Sequence, residues 1–143
     1  MARILIMDDD LVFLHHVAEA LKSKGYQVDT AINVNDAIDS LENVLYDAVI
    51  SDMIIKVNDR TVPSGGLTLI NWLRARELNN PKMAKIPVLG ISGVANFPGL
   101  NTILNMAESV GADAVLEKPM VIDQLVASLE SIIEEDKLPA HAH

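Results

Sequence analysis

Asp47-Ala48-Val49-Ile50-Ser51-Asp52-Met53 is the stretch that decides the fold, because a short apolar run ending on a carboxylate is the pattern of a buried strand delivering a polar group to its end. Asp52 alone would mean little, since an acid after a strand is most often a turn residue. Three other runs end in a similar way. Arg3-Ile-Leu-Ile-Met7 leads into Asp8-Asp9-Asp10, Val88-Leu-Gly-Ile-Ser92 ends in a hydroxyl, and Ala114-Val-Leu-Glu117 leads into Lys118-Pro119. If the four runs are neighbouring parallel strands, these groups meet at one edge of a sheet, in the crevice where open α/β sheets bind ligands.

Between the runs lie helical periods. Leu11, Leu14, Ala18 and Leu21 recur at helical spacing, with Asp10 as N-cap and Gly25 as the stop. Gln27 to Ala31 is a short second strand, and Asn33 caps a helix striped by Val34, Ala37, Ile38, Leu41 and Leu45. After Asp52 the chain shows no sustained period until Gly66, which predicts a long loop. Leu67, Ile70, Leu73 and Arg74 carry a third helix that ends at Asn79-Asn80-Pro81. Residues 93–99 form a second extended loop, and Leu100, Ile103, Leu104, Ala107 and Val110 stripe a fourth helix closed by Gly111. Ile122, Leu125, Val126, Leu129, Ile132 and Ile133 make the fifth. Five strand-helix units with right-handed crossovers predict a flavodoxin-like, doubly wound α/β fold: a five-stranded parallel sheet in the order 2-1-3-4-5 with five helices. That order sets the first and third strands side by side, so Asp8, Asp9 and Asp52 become neighbours. One domain is expected over residues 1–136, followed by a disordered C-terminal tail, 137–143.

Composition narrows the function. The 143 residues suit a single core. No run approaches the roughly 18 apolar residues of a membrane span, and the N-terminus lacks a signal-peptide pattern, so a soluble, cytoplasmic protein without membrane attachment is expected. The absence of cysteine removes disulfides, thiolate metal sites and cysteine nucleophiles together. Twenty acidic against eleven basic residues, a net charge of −9, disfavours direct contact with nucleic acid.

Carboxylates converging on one crevice repel one another, and a divalent cation relieves the repulsion. Hard oxygen ligands with positions left for water and a phosphoryl oxygen describe magnesium better than zinc, with manganese as the alternative ion. Lys118 and Ser92 would contact the remaining phosphoryl oxygens as a point charge and a hydroxyl, and phosphoryl transfer asks for little beyond such positioning and positive charge.

Taken in order, the Asp8-Asp9 pair, Asp52, Ser92 and Lys118-Pro119 give the sequence a close resemblance to response-regulator receiver domains of two-component signalling, over residues 3 to about 135. The resemblance implies that Asp52 is the phosphoacceptor, loaded by a sensor histidine kinase or a histidine phosphotransfer protein. It implies that Asp9 and Asp52 ligate magnesium directly, Asp8 through a water, and the Ile54 backbone carbonyl as a further ligand. It also implies a cis peptide before Pro119, a switch that couples Ser92 to position 115, and output to a downstream protein through the fourth helix, fifth strand and fifth helix. A stand-alone receiver acting by docking, rather than an enzyme, is the expectation. Three positions depart from the family pattern. Val115 stands where an aromatic residue usually completes the switch, and the loops after Asp52 and Ser92 are longer than the family norm. Ile54 and Val94, at positions that govern water access in the family, are both apolar, which predicts slow hydrolysis of a phospho-aspartate.

Blander roles fit the other polar groups. His15 and His16 read as surface residues, as do His141 and His143 in the tail, and Trp72 reads as packing. A receiver-like module that binds partners without phosphorylation is one competing function. A phosphohydrolase resembling the haloacid-dehalogenase group is another, since Asp8-Asp9-Asp10 supplies its Asp-x-Asp; Leu11 and the lack of a second acidic pair after Lys118 weigh against it. A flavodoxin-like electron carrier lacks the phosphate loop after the first strand.

Overall fold

The computed structural model describes residues 2–53, 55–57, 60–62, 65–92, 111–117 and 121–137. Five parallel strands form the sheet: β1 (Arg3–Met7), β2 (Gln27–Ala31), β3 (Ala48–Asp52), β6 (Val88–Ser92) and β7 (Ala114–Glu117), in the spatial order β2-β1-β3-β6-β7. This is the predicted 2-1-3-4-5 arrangement, with β1 and β3 paired at the reversal point. Five helices are described: α1 (Leu11–Ser23), α2 (Val34–Asn43), α3 (Gly65–Arg74), the short α4 (Pro81–Ala84) and α5 (Ile122–Lys137).

Strand alternation sorts the sheet's side chains into two cores. Ile4, Ile6, Ala48, Ile50, Leu89 and Ile91 pack with Leu14, Val17 and Leu21 of α1 and Leu125, Leu129 and Ile132 of α5. Leu5, Met7, Val49 and Val88 pack on the opposite face with Ala37 and Leu41 of α2 and Leu69, Ile70 and Leu73 of α3. Both faces of β3 are therefore covered, which is why its sequence is apolar without alternation.

Local signals account for the helix ends. The Asp10 side chain accepts the Phe13 N–H at 3.2 Å and that of Asn33 accepts the Asp36 N–H at 2.8 Å, the two predicted caps. Gly25, at φ 99°, turns the chain out of α1 in a conformation a side chain would strain.

Four expectations change. The stretch after Asp52 is not featureless: β4 (Ile55–Val57) and β5 (Arg60–Val62) pair antiparallel as a hairpin in a sheet of their own. Strands of three residues are too short to show a period. Leu11 and Leu45 are exposed rather than part of the core stripes, because Leu11 occupies the first position of α1 and Leu45 lies beyond the end of α2; the buried stripe of α1 is Leu14, Val17, Ala18 and Leu21. The third helix stops at Arg74, and Asn80-Pro81 begins α4 instead of ending α3, with Asn80 as N-cap and Pro81 in the first turn. Finally, α5 runs to Lys137, one residue into the expected tail. The predicted fourth helix over Leu100–Val110, the loop at 93–99 and the remainder of the tail, with His141 and His143, lie outside the described residues.

Two polar clusters tie the amino-terminal ends of the strands. Arg74 donates to the carbonyls of Ala84 at 2.7 Å, Ile86 at 2.8 Å and Gly111 at 2.5 Å, and to the Asp113 carboxylate at 3.2 Å. Asp113 also accepts the Val88 N–H at 2.7 Å. Across the sheet, Asp29 accepts hydrogen bonds from the Arg3 guanidinium at 2.9 and 3.2 Å and from the Tyr46 hydroxyl at 2.5 Å. Burial first, and then the bond to the Asp29 carboxylate, pushes the Tyr46 hydroxyl up to about 12.

Candidate functional site

Parallel pairing brings the strand ends level. Met7 is in register with Ser51, Asp52 with Ile91, and Ser92 with Glu117, so the residues that follow β1, end β3 and end β6 share the carboxyl edge of the sheet. Asp8 continues the row Ile4–Ile6 and Asp52 the row Ala48–Ile50, which sets both on the face covered by α1 and α5.

Oxygen atoms of Asp8, Asp9 and Asp52 lie within 4.8 Å of one another. Asp8 is fully buried and Asp52 is 3% exposed, whereas Asp9 faces solvent. One Asp8 oxygen accepts the Asp10 N–H at 2.8 Å, which fixes that carboxylate while the Asp10 side chain caps α1. Two buried carboxylates beside a third are costly to desolvate and repel one another. An all-oxygen donor set open to solvent at Asp9 fits a hard divalent ion that keeps part of its water shell, which is the chemistry of magnesium. The donors present therefore fit the ion expected from the sequence.

Ser92 closes β6 at the same edge, level with the residue before Lys118. Ile54, Lys118 and Pro119 lie outside the described residues, as does Val94. Val115 is half-buried on β7 opposite Gly90, and a Cβ built on Gly90 would meet the Val115 side chain at 3.0 Å. Position 115 is thus part of the core packing on the α2 and α3 face.

Sequence reasoning missed the support behind Asp52. A Cβ built on Gly66 would stand 2.5 Å from the Asp52 carbonyl oxygen and 2.8 Å from Met53 Cα, and would overlap Met53 Cε. Only glycine lets the start of α3 approach the phosphoacceptor candidate's backbone this closely. The paired Gly65-Gly66 was the available signal. Trp72 packs against the same core, with the Arg76 guanidinium 4.6 Å from its ring centre, in keeping with a packing role. His15 and His16 are exposed on α1. Among the described residues no helix is long and apolar enough to cross a membrane.

Comparison with known proteins agrees with this geometry. The family model described as "Response regulator receiver domain" matches residues 4–130. The chain is 27% identical over 135 residues to the "Probable transcriptional regulator ycf29" of Porphyra purpurea, with 94% of this chain and 58% of that protein covered. It is 26% identical over 136 residues to the "Virulence transcriptional regulatory protein PhoP" of Salmonella typhimurium, with 95% and 54% covered. The chain thus spans little more than half the length of these relatives. Among solved structures, the chemotaxis response regulator CheY4 of Vibrio cholerae superposes with a TM-score of 0.72 at 23% identity over 92% of this chain and 98% of that one, a likeness of fold.

Proposed function

The chain belongs to the response regulator receiver domain family, and on that premise we propose that Asp52 accepts a phosphoryl group from a phosphohistidine on a sensor kinase or phosphotransfer protein. A carboxylate oxygen of Asp52 attacks phosphorus, the phosphorus–nitrogen bond of the donor breaks, and the imidazole nitrogen leaves with the electron pair and takes a proton from water. The product is an aspartyl phosphate. The observation that carries the proposal is the convergence of Asp8, Asp9 and Asp52 at the ends of β1 and β3.

Asp9 and Asp52 would hold magnesium directly, with the Ile54 carbonyl, and Asp8 would act through a water; the ion would neutralise phosphoryl charge. Asp8 orients the start of α1 through the Asp10 N–H, and Gly66 and Met53 hold the end of β3 in place. Lys118 would pair with a phosphoryl oxygen and Ser92 would hydrogen-bond another. The domain, over residues 1–136, accepts a group rather than turning over substrate. Its output would be docking to a downstream protein in the cytoplasm, without direct nucleic-acid contact, with phosphorylation shifting an existing two-state equilibrium.

Incubation with magnesium and phosphoramidate, followed by mass spectrometry of the intact protein, tests the proposal. One added phosphoryl group, lost in Asp52→Asn, is expected. No uptake by the wild type would favour a binding module that works unphosphorylated, the second reading that Val115 in place of an aromatic supports. Turnover of a chromogenic phosphate ester would point instead to a phosphohydrolase.

A further inference from the structure

Met53 is fully buried directly after the phosphoacceptor candidate, yet the proposed chemistry gives its side chain no task. Successive residues of a strand point to opposite faces, so Asp52 serves the site beside α1 and α5 while Met53 packs on the other face with Leu69, Ile70 and Leu73 of α3. Two glycines make the slot that its side chain occupies. A Cβ built on Gly90 would stand 3.3 Å from both Cγ and Cε of Met53, and one built on Gly66 would overlap Cε and lie 2.8 Å from Met53 Cα. One flexible side chain thus spans from the first turn of α3 to the middle of β6, and only the missing Cβ atoms give it room.

The end of β3 is tethered unevenly. The Met53 N–H donates to the Ile91 carbonyl at 2.7 Å, which ties the backbone to β6. Ser51, on the same face as Met53, is fully buried, and its hydroxyl has no hydrogen-bond partner. Ser51 therefore adds no polar tether, and the strand end is held on that face by the packing of Met53. Close-packed interiors compress little, so a displacement at one contact is passed to the next. Asp52 is 3% exposed, and a phosphoryl group joined to it displaces its surroundings. Its carbonyl oxygen lies 2.5 Å from where a Gly66 Cβ would stand, so a shift of the Asp52 backbone drives Met53 against the start of α3.

With Asp52 taken as the phosphoacceptor proposed above, we infer that Met53 carries the loading of Asp52 through the sheet: its side chain, held between Gly66 and Gly90, passes a displacement of the Asp52 backbone to α3. Met53 touches neither the cation nor the phosphoryl group, and it takes no part in the transfer.

Trp72 supplies the readout. It is the single tryptophan of the chain and lies on α3 six residues after Gly66, roughly 9 Å along the helix axis, packed against the same core. The full chain, Met53→Ala and Met53→Leu are each loaded with magnesium and phosphoramidate, uptake being followed by mass spectrometry and α3 by Trp72 emission. Emission of the wild type is expected to change in proportion to uptake. Met53→Ala is expected to take up phosphate within about twofold of the wild-type rate yet lose about half or more of the emission change per phosphoryl group, and Met53→Leu, of similar volume, to keep it. In protein carrying ¹³C-methyl methionine, the methyl resonance absent from Met53→Leu is expected to shift when the wild type is loaded. A full Trp72 response in Met53→Ala overturns the inference, as does a loaded wild type in which Trp72 emission or the Met53 methyl resonance stays unchanged. A fall in uptake as large as the fall in response also overturns it, because Met53 would then act on the site. Should Met53→Ala fail to fold, the methyl resonance of the wild type decides. Failure of the wild type to take up phosphate removes the premise about Asp52, and the inference with it.

Discussion

Tyr46 sets a pH limit that a single side chain can report. Its hydroxyl is pushed up to about 12 in the fold, mainly by burial and then by the Asp29 carboxylate it donates to, against about 10 in an unfolded chain. The folded state therefore holds that proton more tightly. Stability is unaffected below pH 10 and falls as pH rises from about 10 to about 12. Tyr26 is raised as well, by burial first and then by Glu130, so the wild type carries two such contributions. Tyr46→Phe is expected to lose about 1 kcal/mol at neutral pH with its hydrogen bond, and to show a shallower decline above pH 10 in urea unfolding. At Gly66 the expected cost of an added methyl is roughly 1–3 kcal/mol, because the Asp52 carbonyl it would strike cannot withdraw without moving the strand end. Gly66→Ala should lower phosphate uptake together with stability. If Asp52 is phosphorylated as proposed, the apolar types at positions 54 and 94 are expected to give an aspartyl phosphate that survives for minutes or longer; decay within seconds after donor removal would contradict it. At this scale the caps Asp10 and Asn33 were legible, because a side chain three residues before an orphan N–H is a local pattern. The Gly66 contact was not, because it joins segments whose approach only the fold determines.

Among elements, α3 is locked to the strands by its last residue. Arg74 gives hydrogen bonds to carbonyls from the α4–β6 connection and from the turn before β7. A planar guanidinium reaches all of them at once, and an ammonium does not. Arg74→Ala is expected to cost roughly 2–4 kcal/mol in denaturant unfolding by leaving these acceptors short of a donor, and Arg74→Lys to recover little of it. Gly111, at φ 123° against the Arg74 side chain, leaves no room for a larger residue. Four strands of the sheet were readable as apolar runs, whereas β2, Gln27–Ala31 with only Ala31 buried, was readable chiefly from its place between two helical periods. The hairpin was not readable, since three alternating residues per strand look the same as loop. Asn80-Pro81 was read as a stop, although the same pair serves as an N-cap followed by a first-turn proline.

For the molecule as a whole, the alternation of strands and helices together with crossover handedness limits the sheet to a few orders, and the gathering of Asp8, Asp9 and Asp52 follows from the order observed. What the sequence could not supply was the depth at which each acid sits, a property of packing: Asp8 and Asp52 are buried and Asp9 is not. This asymmetry has a thermodynamic signature. Magnesium at ten times its dissociation constant is expected to add about 1.4 kcal/mol to the free energy of unfolding, visible as an upward shift of the melting midpoint. Asp52→Asn, which removes one of the clustered charges, should melt higher than the wild type without the ion and gain less from it. A midpoint indifferent to magnesium would separate this cluster from metal binding.

The two cores are also completed at different stages of synthesis. Among the described residues, the α2 and α3 face gains its last fully buried residue at Ala112, whereas the α1 face waits for Leu125, Leu129, Ile132 and Ile133 of α5. As a nascent polypeptide leaves the ribosome, that side of its sheet is covered by α1 alone until α5 emerges. During that interval Leu89 and Ile91 of β6, the strand α5 covers, present a greasy surface to chaperones, and a ribosome stalled before residue 122 would hold the protein in a more adhesive form.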